Sequence, residues 1–149
     1  MCSFEVEFAP TTPGNASGSI DVSYNGTSPA VALEGDGVAL TLKAPKSQSF
    51  AAVDAGMAGT PRKIEISNSS TVPVTLGTAA LGGTDPGSFE IMSDQCSGRP
   101  LAAKGKCTVA VSFAPPGTAS GAQSSMLSFG FTYGPNRGSV STGLNSKVK

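Results

Sequence analysis

The three cysteines are the residues whose chemistry this sequence defines best. Cys96 and Cys107 enclose the polar stretch SGRPLAAKGK, which we interpret as the connection between two neighbouring strands. A disulfide that closes a loop of about 12 residues would stabilise the fold by roughly 3 kcal/mol in the chain-entropy model. Such a bridge implies an oxidising compartment, and two buried free thiols in a reducing cell are the alternative. No CxxC pair and no histidine are present to form a zinc site.

The absence of histidine restricts the catalysis that this chain can perform. Histidine is the usual general base of serine and cysteine hydrolases and the commonest transition-metal ligand. A lysine could activate a serine instead, but we predict polar loops or a tail around Lys104, Lys106, Lys147 and Lys149. The sequence therefore predicts a protein that is not an enzyme and holds no cofactor.

Three carboxylates lie close together in the sequence and could be imagined as calcium ligands. They are Asp85, Glu90 and Asp94. Glu90, however, lies between Phe89 and Ile91 and points outward in an alternating strand, and no D-x-D-x-D-G loop occurs. We expect solvated charges here and no metal site.

Charge and hydropathy exclude two further classes of partner. Ten basic and ten acidic residues give zero formal net charge, so the sequence lacks the positive charge that drives nucleic-acid binding. The apolar runs are far shorter than the roughly 20 residues that span a bilayer, and no basic segment followed by an apolar one opens the chain. We expect a soluble chain without an export signal of its own, which is either a cytosolic protein or an internal fragment.

An internal repeat indicates how the chain is organised. Residues 2–10 are CSFEVEFAP and residues 107–115 are CTVAVSFAP, at a constant offset of 105. Apolar residues occupy every second position in both copies and again in the segments that follow, which places them on one face of a strand. With 19 Gly, 11 Pro and only 13% charged residues, the chain is typical of an antiparallel β fold with many turns.

A period of 105 residues is the size of one β-sandwich domain. Residues 38–143 are therefore predicted to form one complete all-β sandwich domain, and residues 144–149 a polar tail. Residues 1–37 are predicted to be the last three strands of a partial preceding repeat. The complete domain's strands are expected around these apolar residues: Leu40 and Leu42; Ile64 and Ile66; Val72, Val74 and Leu76; Phe89 and Ile91; and the repeated pair.

The partial repeat exposes one apolar face and unpaired strand edges, because three strands without an opposing sheet leave both open to water. The expected interaction strands carry Phe4, Val6, Phe8, Ile20, Val22, Tyr24, Val31 and Leu33. Either a longer array has been cut at this point, or another chain completes the half-domain by strand addition and links subunits into a polymer. Cys2 has the position of Cys107, so its partner would lie before residue 1. Asn25-Gly26 is the expected two-residue hairpin turn of this half-domain.

The order of several segments resembles a known domain family. These segments are FAAVDAG, KIEISNSSTVPVTL, GSFEIMSDQC and LAAKGKCTVAVSFAP. Together they resemble the abnormal-spindle and hydin (ASH) type of immunoglobulin-like domain, as in bacterial choice-of-anchor D surface proteins. The resemblance implies a β-sandwich with the topology of major-sperm-protein and PapD-like chaperone domains, without catalysis, and the two cysteines resemble the pair that many bacterial members carry. The stretch NRGSVSTGLNSK departs from the family's clean last strand.

The leading hypothesis is a non-catalytic structural or adhesive module of a bacterial surface or secreted repeat protein. Its expected location is extracellular, at the cell surface or periplasmic, from the inferred disulfide and the resemblance. A self-assembling filament or sheath subunit joined by strand exchange is one alternative, and a cytosolic scaffold module is another. Expected partners are neighbouring repeats or other copies of the chain, with a protein or glycan ligand left open.

Overall fold

A computed structural model describes residues 3–23 and 25–149, which fall into two units, Met1–Ala39 and Leu40–Lys149. The strands in chain order are β1 (Gly14–Asp21), β2 (Ala30–Gly37), β3 (Leu42–Lys43), β4 (Ser47–Ser49), β5 (Arg62–Asn68), β6 (Val74–Leu76), β7 (Ala80–Gly82), β8 (Phe89–Asp94), β9 (Pro100–Leu101), β10 (Lys106–Phe113), β11 (Ala122–Tyr133) and β12 (Asn136–Lys147). The only helical turn in the described residues is a 3₁₀ turn at Pro86–Ser88. The all-β prediction is confirmed.

The second unit is built from two sheets. One has the order β3-β5-β10-β8, and its strands are all antiparallel. The other has the order β4-β12-β11-β6-β9, with β7 also paired to β11. β4 runs parallel to β12, and the remaining pairs are antiparallel.

Successive side chains of a strand point to opposite faces, so every second side chain of the long strands lies between the two sheets. The first sheet contributes Ile64, Ile66, Val109, Val111 and Phe113, and the second contributes Val74, Leu76, Leu127, Phe129 and Leu144. All ten are at most 2% exposed and belong to one hydrophobic cluster. Together they form the core of a β-sandwich.

Three short strands were not expected from the sequence. β4, β7 and β9 are two or three residues long and lack an apolar alternation of their own. Each is held by hydrogen bonds to a strand of the second sheet. β9 lies inside the loop that we predicted between Cys96 and Cys107, so this loop also adds an edge strand to the opposite sheet.

The expectation of a polar tail from residue 144 is wrong. β12 continues to Lys147, paired with β11 along its whole length, and Leu144 and Val148 are buried. Val148 also forms a parallel bridge with Val53. The apolar alternation of β12 is weak because its two buried positions are Thr142 and Leu144, one of which is polar. Pairing with β11 along its whole length holds the strand in place.

The first unit contains one antiparallel hairpin, β1 with β2. The predicted strand at residues 2–10, with Phe4, Val6 and Phe8, is wrong for residues 3–10, which form no strand. Its counterpart β10 is paired on both sides, by β5 and β8, and no such neighbours occur in the described part of this unit. Asn25 and Gly26 have positive φ, 45° and 77°, as a type I′ turn requires.

Candidate interaction surface

The two copies of the repeat differ sharply in the burial of matching residues. Val111 and Phe113 of β10 are completely buried in the sandwich. Val6 and Phe8, which occupy the same positions 105 residues earlier, are 51% and 49% exposed, and Phe4 is 61% exposed. The same sequence pattern is therefore covered in the second unit and uncovered in the first.

The hairpin of the first unit presents its apolar residues on one face. Ile20 is paired with Val31, and Leu33 is paired with Gly18, so these side chains project from the same side. Ile20 and Leu33 are half-buried, whereas Val31 is 52% exposed. Val22 lies beyond the end of β1, where its amide still donates to the carbonyl oxygen of Pro29 at 3.1 Å, and its side chain is also exposed.

Residues 3–10 and the hairpin enclose an open groove of about 380 Å³. Its apolar lining is formed by Val6, Phe8, Ala16 and Leu33, with Gly18 between them. The ring of Phe8 lies on Gly35, where a Cβ would come within 2.8 Å of the ring. We call this groove and the exposed apolar residues around it the N-terminal face.

The N-terminal face brings together most of the residues that we predicted for an interaction. Val6, Phe8 and Leu33 line the groove, and Ile20, Val22 and Val31 extend its apolar side along the hairpin. Phe4 is exposed in the segment that precedes the groove. Tyr24 and Cys2 lie outside the described residues.

The charge of this unit was not predicted from the sequence. All five ionisable side chains of Met1–Ala39 other than Cys2 and Tyr24 are carboxylates, namely Glu5, Glu7, Asp21, Glu34 and Asp36. Glu7 and Glu34 line the groove itself. Counting charge for each unit, and not only for the whole chain, would have revealed this acidic surface.

In the second unit, the predicted disulfide is formed between Cys96 and Cys107, whose Cα atoms are 5.3 Å apart. It joins the turn after β8 to β10. Asp94 holds this turn, because its carboxylate accepts hydrogen bonds from the amides of Cys96 at 2.7 Å and Ser97 at 2.9 Å and from the Ser97 hydroxyl.

The charge of Asp94 is stabilised by this arrangement. Burial raises the pKa of its carboxyl, but the hydrogen bonds from Ser97 and Cys96 and the charge of Arg99 outweigh burial and hold the pKa below its usual range. Asp85 is used in a different turn, where it accepts from the amide of Ser124 at 3.0 Å. Both carboxylates therefore stabilise turns. Across residues 3–23 and 25–149, no group of three or more His, Cys, Asp or Glu side chains could hold a metal ion.

Residues 3–23 and 25–149 contain no helix of the length and apolar character that crossing a bilayer requires. No protein-family model and no curated protein matches the sequence.

Solved structures do resemble this chain. The ASH/PapD-like domain 7 of human CEP192 is 16% identical, with a TM-score of 0.53 over 74% of this chain and 84% of that domain. The Vibrio cholerae protease VesB is 16% identical, with a TM-score of 0.57 over 72% of this chain, and this chain spans only 31% of VesB. A protein of unknown function from Porphyromonas gingivalis is 10% identical, with a TM-score of 0.54 over 93% of this chain and 68% of that protein.

These likenesses concern the fold, since all three identities are low. The second unit has two mostly antiparallel sheets packed around one core, which is consistent with such a fold. The chain therefore has the ASH/PapD-like immunoglobulin fold that the sequence resemblance implied.

Proposed function

We propose that this chain is a non-catalytic, immunoglobulin-like module of a bacterial surface or secreted repeat protein, with a structural or adhesive role. The fold, the internal repeat and the disulfide support this function. Disulfides persist mainly in oxidising compartments, so the Cys96–Cys107 bridge favours an extracellular or periplasmic location.

One observation carries the proposal. Phe113 and Val111 are buried in a core to which strands before and after them in the chain both contribute, while their counterparts Phe8 and Val6 are about half exposed. A contiguous exposed apolar face is typical of a site that another protein segment covers. We infer that the missing cover is the first half of a neighbouring repeat, equivalent to residues 40–106.

The arrangement of polar groups also favours a structural role. Asp94 and Asp85 are engaged in capping turns, and the buried Ser88 hydroxyl donates to the side-chain oxygen of Gln123 at 2.7 Å. A catalytic site requires a nucleophile, a base and a cavity that converge. The groove of the N-terminal face is lined instead by apolar side chains, glycine, serine and the carboxylates of Glu7 and Glu34.

A fusion protein tests the repeat arrangement directly. A second copy of residues 38–106 is placed immediately before Cys2, so that residues 2–37 follow it as residues 107–142 do in the natural chain. Glu7→Ser is included, because Ser112 occupies the matching position. We expect Cys2 to pair with Cys96 of the added segment, which leaves no free thiol, and the amides of residues 3–37 to become protected from hydrogen exchange.

The matched control carries Ile64→Asp and Ile66→Asp in the added segment only. Both residues are fully buried in the natural domain, so the altered segment cannot form the core. In this control Cys2 and the added Cys96 are expected to remain two free thiols, and the amides of residues 3–37 to remain unprotected. If the unaltered fusion behaves in the same way, the repeat arrangement is contradicted.

A further inference from the structure

The two units carry opposite charge. Met1–Ala39 contains five carboxylates and no Lys or Arg, whereas Leu40–Lys149 contains ten Lys and Arg and five Asp and Glu. The zero net charge of the whole chain is therefore the sum of an acidic unit and a basic unit. Complementary charge favours encounter and correct pairing of two protein surfaces, while like charges oppose it.

Copies of this chain are poor candidates to cover the N-terminal face. Residues 1–149 contain two second halves of the domain, residues 2–37 and 107–149, and one first half. Exchange of first halves between two copies of these 149 residues would leave one second half uncovered in each copy. Pairing two N-terminal faces would oppose five carboxylates to five others, which disfavours that arrangement too.

The complete domain shows which strand neighbours the matching segment. Ala110 of β10 is directly opposite Lys63 of β5. The offset of 105 places Glu5 at the position of Ala110. A strand that is equivalent to β5 and keeps this lysine would put a basic residue opposite Glu5, and directly opposed charges of unlike sign stabilise an antiparallel pair.

We propose that the N-terminal face binds the first half of a neighbouring repeat through a basic, β5-like strand that pairs antiparallel with residues 3–10, with its Lys or Arg opposite Glu5. This inference rests on the proposed function and specifies its partner. The two edges of the β1–β2 hairpin determine the direction of the other partner strands. β11 pairs antiparallel with β6 and β7, and β12 pairs parallel with β4, so the partner supplies antiparallel strands to β1 and a parallel strand to β2.

Glu7 specifies a second property of the partner. Its counterpart Ser112 is 1% exposed, and the Ser112 hydroxyl donates to the carbonyl oxygen of Gly59 at 2.6 Å. A carboxylate at this position would face that carbonyl oxygen without donating to it, at a large desolvation cost. The partner segment therefore places a hydrogen-bond donor or open water beside Glu7, in contrast to the backbone carbonyl of Gly59.

A charge-swap cycle in the fusion described above tests the register. The single variants are Glu5→Lys and, in the added segment, Lys63→Glu; the double variant carries both. Each single variant is expected to lower the folding equilibrium constant of the N-terminal domain about threefold or more, since attraction becomes repulsion. The double variant should recover most of this loss, as measured by urea unfolding.

A fusion that folds but shows no recovery in the double variant would overturn the proposed register while leaving the repeat arrangement intact. A fusion that leaves residues 3–37 unprotected would instead contradict the proposed function. Sedimentation of the natural chain at neutral pH supplies the independent test. We expect a monomer at all concentrations, and a stable dimer that buries residues 3–37 would overturn the inference.

Discussion

Phe8 and Phe113 occupy the same position of the repeat, yet Phe113 is fully buried and Phe8 is 49% exposed beside Gly35. The ring of Phe113 lies 5.2 Å from that of Phe89, which in turn lies 5.6 Å from the ring of Phe50. Such tilted and edge-on aromatic pairs add to the stabilisation from burial. The two phenylalanines are therefore a matched pair in which one contributes to a core and the other does not.

Replacing each of these phenylalanines should have very different effects. Phe113→Ala is expected to destabilise the second unit by about 3–5 kcal/mol, because it removes the ring and leaves a cavity in the core. Phe8→Ala is expected to change the stability of the second unit by less than about 0.5 kcal/mol. Urea unfolding followed by far-ultraviolet circular dichroism measures both. Equal losses would mean that Phe8 already belongs to a core that includes the second unit.

The disulfide predicts both a thiol count and a stability change. The natural chain should show one free thiol, from Cys2, and replacing Cys96 and Cys107 together with Ala should cost about 3 kcal/mol, because the bridge limits the unfolded chain. Cys2→Ser is the control and should abolish the thiol signal without changing the unfolding midpoint of the second unit. Three titratable thiols in protein purified without reductant would contradict the bridge.

Removal of one buried hydroxyl is expected to raise the stability of the second unit. Thr142 in β12 is 1% exposed, and its hydroxyl oxygen has no hydrogen-bond partner among the described residues. Thr142→Val keeps the shape and removes this buried polar atom, so we expect a gain of about 1 kcal/mol in the free energy of unfolding. The midpoint of urea unfolding measures it.

Ser125 is the matched control for Thr142. It is also buried in the second sheet, but its hydroxyl donates to the carbonyl oxygen of Gly82 at 2.8 Å. Ser125→Ala should therefore lower stability by about 1 kcal/mol. A loss of stability in Thr142→Val would show that its hydroxyl is satisfied in solution.

The parts of the fold that followed from the sequence are those with a strong alternation. β5, β8, β10 and β11 were predicted because their apolar residues face one core at every second position. β4, β7 and β9 carry no such signal, since hydrogen bonds to longer neighbours define them. The same dependence explains residues 3–10. Their alternation is that of a strand, but a strand forms only when neighbours supply its hydrogen bonds.

The apolar residues of the N-terminal face were named from the sequence as expected interaction residues, and its acidic residues were not. The repeat identified Val6, Phe8 and Leu33 before the structure showed that they line one groove. The acidic character of the same unit was hidden by the balanced charge of the whole chain. The turn chemistry of Asp94 was also missed, because one carboxylate near a loop has no distinctive sequence pattern.

The stability of the second unit should depend on acid through Asp94. Its pKa is lowered in the folded state, so its contribution is present above the unfolded value of about 3.9 and is lost as the pH falls through the lower folded value. Asp94→Asn should cost roughly 0.5–1 kcal/mol at neutral pH, a small effect because solvent screens this exposed group. The difference between the parent chain and the variant should then disappear in the acidic range.

Urea unfolding of the parent chain and the variant at several pH values between neutrality and pH 3 measures this difference. Asp54→Asn, which removes an exposed carboxylate outside the Asp94 turn, is the matched control and should keep the parent's acid-sensitive loss, because Asp94 is still present. A difference between parent and Asp94→Asn that persists unchanged at pH 3 would show that the amide disturbs the turn by shape. In that case the charge of Asp94 would not be what stabilises the turn before Cys96.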